Sequence, residues 1–321
     1  MAKTAPPRSP GASRREEARR QAQRRRQQHL LLQGGLVAIA VVVVAVAAWW
    51  LIVRAGESDS QVLYRFQTQD FHSLAIDPID PDTLYLGHHG GLLVSRDGGR
   101  TWQSGTLSGV DAMQLALPAA DPERIYASGH GVFVVSQDGG QTWASPAHNL
   151  PALDLHGFAV APSDPNRVYA FELGTFSLYA SSDGGVTWEA RGLPPSLNQG
   201  ILPLAVAADD PQHLYAGVGG QIWESLDGGQ SWRQLGPGHG GTITALAVSA
   251  SSQALLFAGT DQGLWKLDYS GNWQRLPVQP REGVLAVAVA PLASGAERVV
   301  LVDAQGNFYR SDDGGQTWLS R

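Results

Sequence analysis

The chain has 321 residues, no cysteine and a formal net charge of -6. Without cysteine there can be no disulfide, thiolate metal site or cysteine nucleophile. Residues 1–29 hold nine Lys/Arg against two Glu, which leaves a net charge of -13 on the remainder. So acidic a body argues against nucleic acid as a partner, because phosphate binding needs a basic surface.

In chain order, the basic tail (1–29) is followed by 24 uncharged residues, Leu30 to Val53. About 20 apolar residues suffice to cross a bilayer as a helix. Trp49 and Trp50 lie near the far end of this run, where indole rings favour the interface. The pattern predicts a transmembrane signal anchor over 30–53, with residues 1–29 cytoplasmic by the positive-inside tendency. A short linker (54–61) then leads to an extracytoplasmic body (62–321). A cleaved signal peptide ending near Val53–Ala55 is the alternative, although its apolar region would normally be shorter.

The body is built on repeats. The octapeptide "SRDGGRTW" (95–102) returns as "SQDGGQTW" (136–143), "SSDGGVTW" (181–188), "SLDGGQSW" (225–232) and "SDDGGQTW" (311–318), with a weaker "KLDYSGNW" at 266–273. Its Asp falls at 97, 138, 183, 227, 268 and 313, a period of 41–45 residues. That period suits propeller blades. Between copies the chain reads as a short apolar strand, an Asp-Pro turn, an apolar-Tyr strand, a third strand, the octapeptide and a fourth strand beginning at Trp. The expectation is an all-β fold: one propeller of six four-stranded blades, or seven if "VLYRF" (62–66) belongs to an extra one. In the six-blade form that segment completes the outer edge of blade six.

The octapeptide resembles the Asp box, or BNR repeat, of sialidases, sortilin-type receptors, xyloglucanases and photosystem-assembly propellers. The stretches "FHSLAIDPIDPDTLYLGHHGGLLVSRDGG" (71–99), "SGHG" (128–131) and "DLHGFAV" (154–160) are also similar to small bacterial Asp-box proteins catalogued as glycosyl hydrolases. The resemblance implies the propeller and does not fix an activity, because unrelated functions share this fold. In each box the Asp and Ser suit turn hydrogen bonds, and the two glycines suit positive φ. Asp97, Asp138, Asp183, Asp227 and Asp313 are therefore expected to be structural.

Antiparallel alternation puts the Asp-Pro turns and the boxes at one end of every blade. The first-strand starts and the second–third turns lie at the other end. Seven of the eight histidines in the body map to that other end. Registering the repeats makes Asp70-Phe71-His72, Asp111-Ala112-Met113 and Asp154-Leu155-His156 equivalent, at the axial mouth of blades one to three. His88, His89 and His130 fall in second–third turns, and Glu172 is level with His88.

Imidazole with carboxylate suits transition metals, and a thioether leans towards copper. We therefore expect His72, His88, His89, His130, His156, Asp111 and Asp154 to converge as a zinc or copper site. Asp70, Met113 and Glu172 would then be ligand-binding neighbours. Histidines bonded only to one another, to backbone and to water are the alternative.

Three functional classes remain open: a membrane-tethered module that binds a protein or a small polar ligand, a metal-handling propeller, and a glycoside hydrolase. The last needs two carboxylates at a defined separation, for which Glu172 with Asp111 or Asp154 is the candidate pair. The "YRF" at 64–66 lacks the Ile-Pro of a sialidase arginine strand, and no catalytic residue is assigned. The predicted topology is tested by adding protease to intact cells. The propeller should be digested while residues 1–29 stay protected; recovery of the body in the cytosolic fraction would contradict the assignment.

Overall fold

In the computed structural model the described residues are 43–47, 49, 61–67, 70–236, 238, 241–249 and 256–320. The chain divides into two units, Met1–Glu57 and Ser58–Arg321. In the first, residues 43–47 and 49 are helical, and the side chains of Val43, Val44, Val46 and Trp49 are exposed. Among the described residues no helix is long and apolar enough to cross a membrane. The rest of the predicted anchor, the basic tail and the linker up to residue 60 lie outside the described residues.

The second unit is a ring of six antiparallel sheets. Blade one comprises Phe71–Ile76, Leu84–His88, Gly91–Ser95 and Gln103–Ser108, paired in that order. The first strands of the other blades are Gln114–Ala116, Leu155–Ala161, Leu204–Val206, Ile243–Val248 and Val284–Pro291. Each first strand packs against the next, and that of blade six packs back on that of blade one, so the six surround the axis. Buried Leu, Val, Ala and aromatic side chains fill the spaces between blades.

Five sheets have four strands, and blade two has three. Its fourth strand is reduced to a single bridge between Val135 and Ala144. Pro146 follows two residues later, and a proline cannot donate to the ladder.

Two devices close the ring. Tyr64–Arg65 pairs with Asn307–Phe308 as the outer strand of blade six, as the sequence suggested. The segment that leads into blade one is thereby stitched into the last sheet, and an edge strand is covered. The second device is ionic. The Arg298 guanidinium reaches Asp312 at 2.7 Å and Asp82 of blade one at 2.6 Å. Arg310 bonds Asp312 at 2.6 Å and donates to the Gly98 carbonyl at 3.1 Å. Both arginines are buried, so their charges need these partners.

The boxes act as turns, and they also face the neighbouring blade. In the first, the Ser95 hydroxyl donates to Asp97 Oδ1 at 2.8 Å and accepts the Gly99 N–H at 2.8 Å. Asp97 Oδ1 accepts the Arg100 and Thr101 amides at 3.0 and 2.9 Å. The pattern repeats at Asp138, Asp183, Asp227 and Asp313. At Asp138 the Thr142 hydroxyl, then the Thr142 amide and the Ser136 hydroxyl, hold the carboxyl down at about 2. The weak copy keeps the Asp268 turn through Asn272 but has Lys266 in place of the serine.

The second glycine of a box is where blades meet. A Cβ on Gly99 would lie 2.1 Å from the Phe308 ring of blade six, and one on Gly185 2.3 Å from Phe133 of blade two. Tyrosines add a bond in the forward direction. Tyr126 donates to the Pro165 carbonyl and Tyr169 to the Pro211 carbonyl, each at 2.8 Å and each in the next blade's Asp-Pro turn.

Gly99 also has φ +90°, so Gly99→Ala combines left-handed strain with overpacking. We expect a loss of about 2–6 kcal/mol, measured by chemical denaturation. A loss below the lower bound would contradict this role.

Candidate functional site at the axial mouth

The mouth opposite the boxes is shaped by irregular pairing. In blades one, three, five and six the register slips by one residue where the first strand begins. The extra residues are His72, His156, Thr244 and Leu285. A bulge re-aims a side chain, and all four line one cavity of about 290 Å³ at the mouth. Met113 and Gln114 of blade two and Gln199, Gly200 and Ile201 of blade four complete its wall. The Asp-x-His register read from the repeats thus coincides with a backbone feature.

Six of the predicted residues form a continuous chain across blades one to three. His72 Nε2 lies 3.1 Å from His89 Nε2. Asp111 is next, with Oδ1 3.9 Å from His72 Nε2 and Oδ2 3.6 Å from His89 Nε2. The same Oδ2 accepts from His130 Nδ1–H at 2.6 Å. His130 Nε2 faces His156 Nε2 at 2.9 Å and Asp154 Oδ1 at 3.3 Å. His156 Nε2 is 2.9 Å from Asp154 Oδ1. Asp70 flanks the far end, its Oδ1 3.8 Å from His89 Nδ1.

Local structure makes these approaches possible. A Cβ on Gly129 would lie 2.1 Å from the Asp111 carbonyl oxygen, so only glycine before His130 lets this turn close onto the start of its own blade's first strand. The Asp70 carbonyl accepts the His89 amide of its own blade at 3.4 Å, which ties the strand start to the turn. His130 and Asp154 form a backbone bridge between blades two and three.

The donors fall into two groups with metal-ligand spacing, His72–His89–Asp111 and His130–Asp154–His156, each within 4.8 Å. Each has two imidazoles and one carboxylate, a donor set suited to zinc, copper or iron. Asp111 Oδ1 and His156 Nδ1 are buried and have no hydrogen-bond partner. Imidazole must be neutral to ligate a metal. Burial, and after it the neighbouring His89, push the His72 pKa below its ordinary 6.5.

Two predicted residues are turned to other work. His88 Nδ1 accepts the Gly90 amide at 3.0 Å, closing its own turn. Burial, with a further contribution from His89, lowers its pKa. Glu172, level with His88, caps the equivalent turn of blade three: it accepts from the Gly174 and Thr175 amides at 2.9 and 2.7 Å and from the Thr175 hydroxyl at 2.6 Å. Its side chain is fully buried, which removes it from the open face where the sequence reading had placed it. The level registration of these two positions reflects a shared turn-capping role.

Elsewhere, His148 packs against the Phe133 ring, and His213, at the box end, meets Glu224 at 3.1 Å. His239 lies outside the described residues. The apolar side of the mouth, Ile201, Ile243 and Leu285, was not anticipated. Its signal is the apolar or small residue that stands in blades four to six where blades one and three carry histidine.

Comparison with known proteins agrees with this architecture. Residues 131–239 match the Sortilin-Vps10 family model, described as sortilin, neurotensin receptor 3. A xyloglucanase of Paenibacillus sp. is 27% identical over 300 residues, covering 77% of this chain and 26% of the relative. The chain spans only 18–26% of the length of the two curated relatives considered, both carrying xyloglucanase names. Among solved structures, an ancestral GH74 enzyme superposes with TM-score 0.54 and 18% identity, over 81% of this chain and 39% of that one. YCF48 from Cyanidioschyzon merolae gives TM-score 0.48 and 18% identity, over 80% and 86%. The chain is thus an Asp-box propeller, similar to parts of sortilin-type and GH74 proteins.

The depressed His72 pKa has a definite sign. A base that binds its proton less well when folded destabilises the fold as pH falls below the unfolded value. In metal-stripped protein, an NMR titration should give His72 a midpoint below 6.5. A midpoint above that value would show that the Asp111 charge outweighs burial.

Proposed function

We propose that this chain is a membrane-tethered, extracytoplasmic binding module whose propeller mouth takes a divalent transition metal, zinc or copper, on imidazole and carboxylate ligands. One observation carries the reading: two histidine pairs, His72–His89 in blade one and His130–His156 across blades two and three, bring their ring nitrogens to 3.1 and 2.9 Å beside carboxylates. Imidazoles held that close without a cation repel when protonated. A shared ion turns the same crowding into ligation.

An ion held by three protein groups keeps a position open. His72 and His156 belong both to the donor groups and to the wall of the mouth cavity. A polar group of a partner protein or small ligand entering that cavity would therefore arrive at the open position. Met113 lines the same cavity, and its thioether favours copper over zinc there. The tether follows from the apolar run at 30–53 behind the arginine cluster.

A glycoside hydrolase is the second reading, favoured by the xyloglucanase names of the curated relatives. Such chemistry needs two carboxylates flanking the scissile bond. Glu172 is buried and committed to its turn, which leaves Asp111 and Asp154, each held against a histidine. Incubation with xyloglucan should release no oligosaccharide; product formation would favour the hydrolase.

The metal reading is tested on the full chain in detergent, purified without a histidine tag, loaded with Zn²⁺ and analysed for bound metal. His72→Ala combined with His156→Ala should abolish binding and leave the melting temperature of the chelator-stripped protein nearly unchanged, because the boxes that brace the blades are remote. Full metal retention by the double variant would sink the assignment.

A further inference from the structure

We propose that the mouth holds two metal ions rather than one, one in each His₂–carboxylate group, with Asp111 linking them. This rests on the reading of the mouth as a metal site and adds its stoichiometry and internal wiring.

The first argument is spacing. Donors about 2.0–2.2 Å from one ion lie about 2.8–3.6 Å apart in right-angle to tetrahedral geometry. In the group of His130, His156 and Asp154 the three edges are 2.9, 2.9 and 3.3 Å. In the group of His72, His89 and Asp111 the rings are 3.1 Å apart, Asp111 Oδ2 is 3.6 Å from His89 and Oδ1 is 3.9 Å from His72, and one donor atom from each residue falls within 4.8 Å of the others. This group is the looser of the two and draws in around an ion, whereas the other already has ligand spacing. The two groups share no residue.

The second argument is the orientation of Asp111. Its Oδ2 accepts from His130 Nδ1–H, which leaves His130 only Nε2 for ligation, and that atom faces the other group. Its Oδ1 is buried without a hydrogen-bond partner on the His72 side. A buried carboxylate oxygen without a partner is costly, and a cation beside His72 and His89 would satisfy it. Asp111 would then ligate the first ion directly and fix the ring of a ligand to the second, the carboxylate–histidine–metal arrangement that orients metal-binding imidazoles. Asp70, Asp111 and Asp154 place three negative charges among the four histidines, which offsets the repulsion between two dications.

The test uses the full chain in detergent, stripped with chelator, loaded with Zn²⁺ and passed through a weak chelator before metal analysis. We expect two equivalents in the wild type, one in His72→Ala and one in His156→Ala. Asp111→Asn should lose the first ion and bind the second about 10–100-fold more weakly, as loss of an orienting partner does. One equivalent in the wild type would overturn the two-ion proposal while leaving the metal reading standing, whichever variant removes it. No metal in the wild type would remove the underlying reading itself. His72→Gln and His156→Gln, compared by thermal melting, guard against misfolding. Two equivalents persisting in either folded single-site variant would also overturn the proposal.

Discussion

Everything at the mouth depends on ring closure. Six first strands stand side by side around one axis, and because the sixth meets the first, residues of all six blades enclose one cavity at the mouth. The closure is made twice, by the Tyr64–Arg65 strand on blade six and by the buried Arg298 and Arg310 that reach Asp82, Asp312 and Gly98. The boxes then hold blades at contact distance from their neighbours, glycine against an aromatic ring at Gly99–Phe308 and Gly185–Phe133 and against leucine at Gly229–Leu178 and Gly315–Leu276. A propeller loosened at this seam would keep its sheets and lose the enclosed mouth, since that cavity is lined from all six blades.

The mouth is divided by chemistry. Blades one to three supply the histidines and carboxylates, while blades four to six supply Ile201, Ile243, Leu285 and the hydroxyls of Thr242 and Thr244. The bulge at the start of the first strand serves both halves, because it presents whichever residue occupies that position to the cavity. One backbone device repeated around a ring therefore gives a site whose chemistry is set by very few side chains. Such a construction explains how proteins of this architecture can differ in function while sharing turns and core.

Much of this was legible in the sequence because the repeat supplies a register. Spacing of the box Asp gave six blades, and alternation of strand direction put the histidines at one end. Aligning the Asp-x-His/Met triplets and the second–third turns puts His72, His88, His89, His130, His156, Asp111 and Asp154 at one mouth. Other features were not legible. Position alone could not distinguish His89, which points into the mouth, from His88, whose ring closes a turn. It could not show that Glu172, at the matching position, is swallowed by three bonds to its own turn. The missing fourth strand of blade two depends on Pro146, and the arginine seam depends on which blades become neighbours at closure. These are three-dimensional facts with only faint local signatures.

Metal held by the clustered histidines would be visible by diffraction. Anomalous diffraction at the zinc edge, from crystals of the full chain grown with Zn²⁺, tests the proposed site most directly. A bound ion should give a peak about 2.0–2.2 Å from His130 Nε2, His156 Nε2 and Asp154 Oδ1. A well-ordered mouth with no peak, its histidines bonded only to one another and to water, would contradict the proposed site.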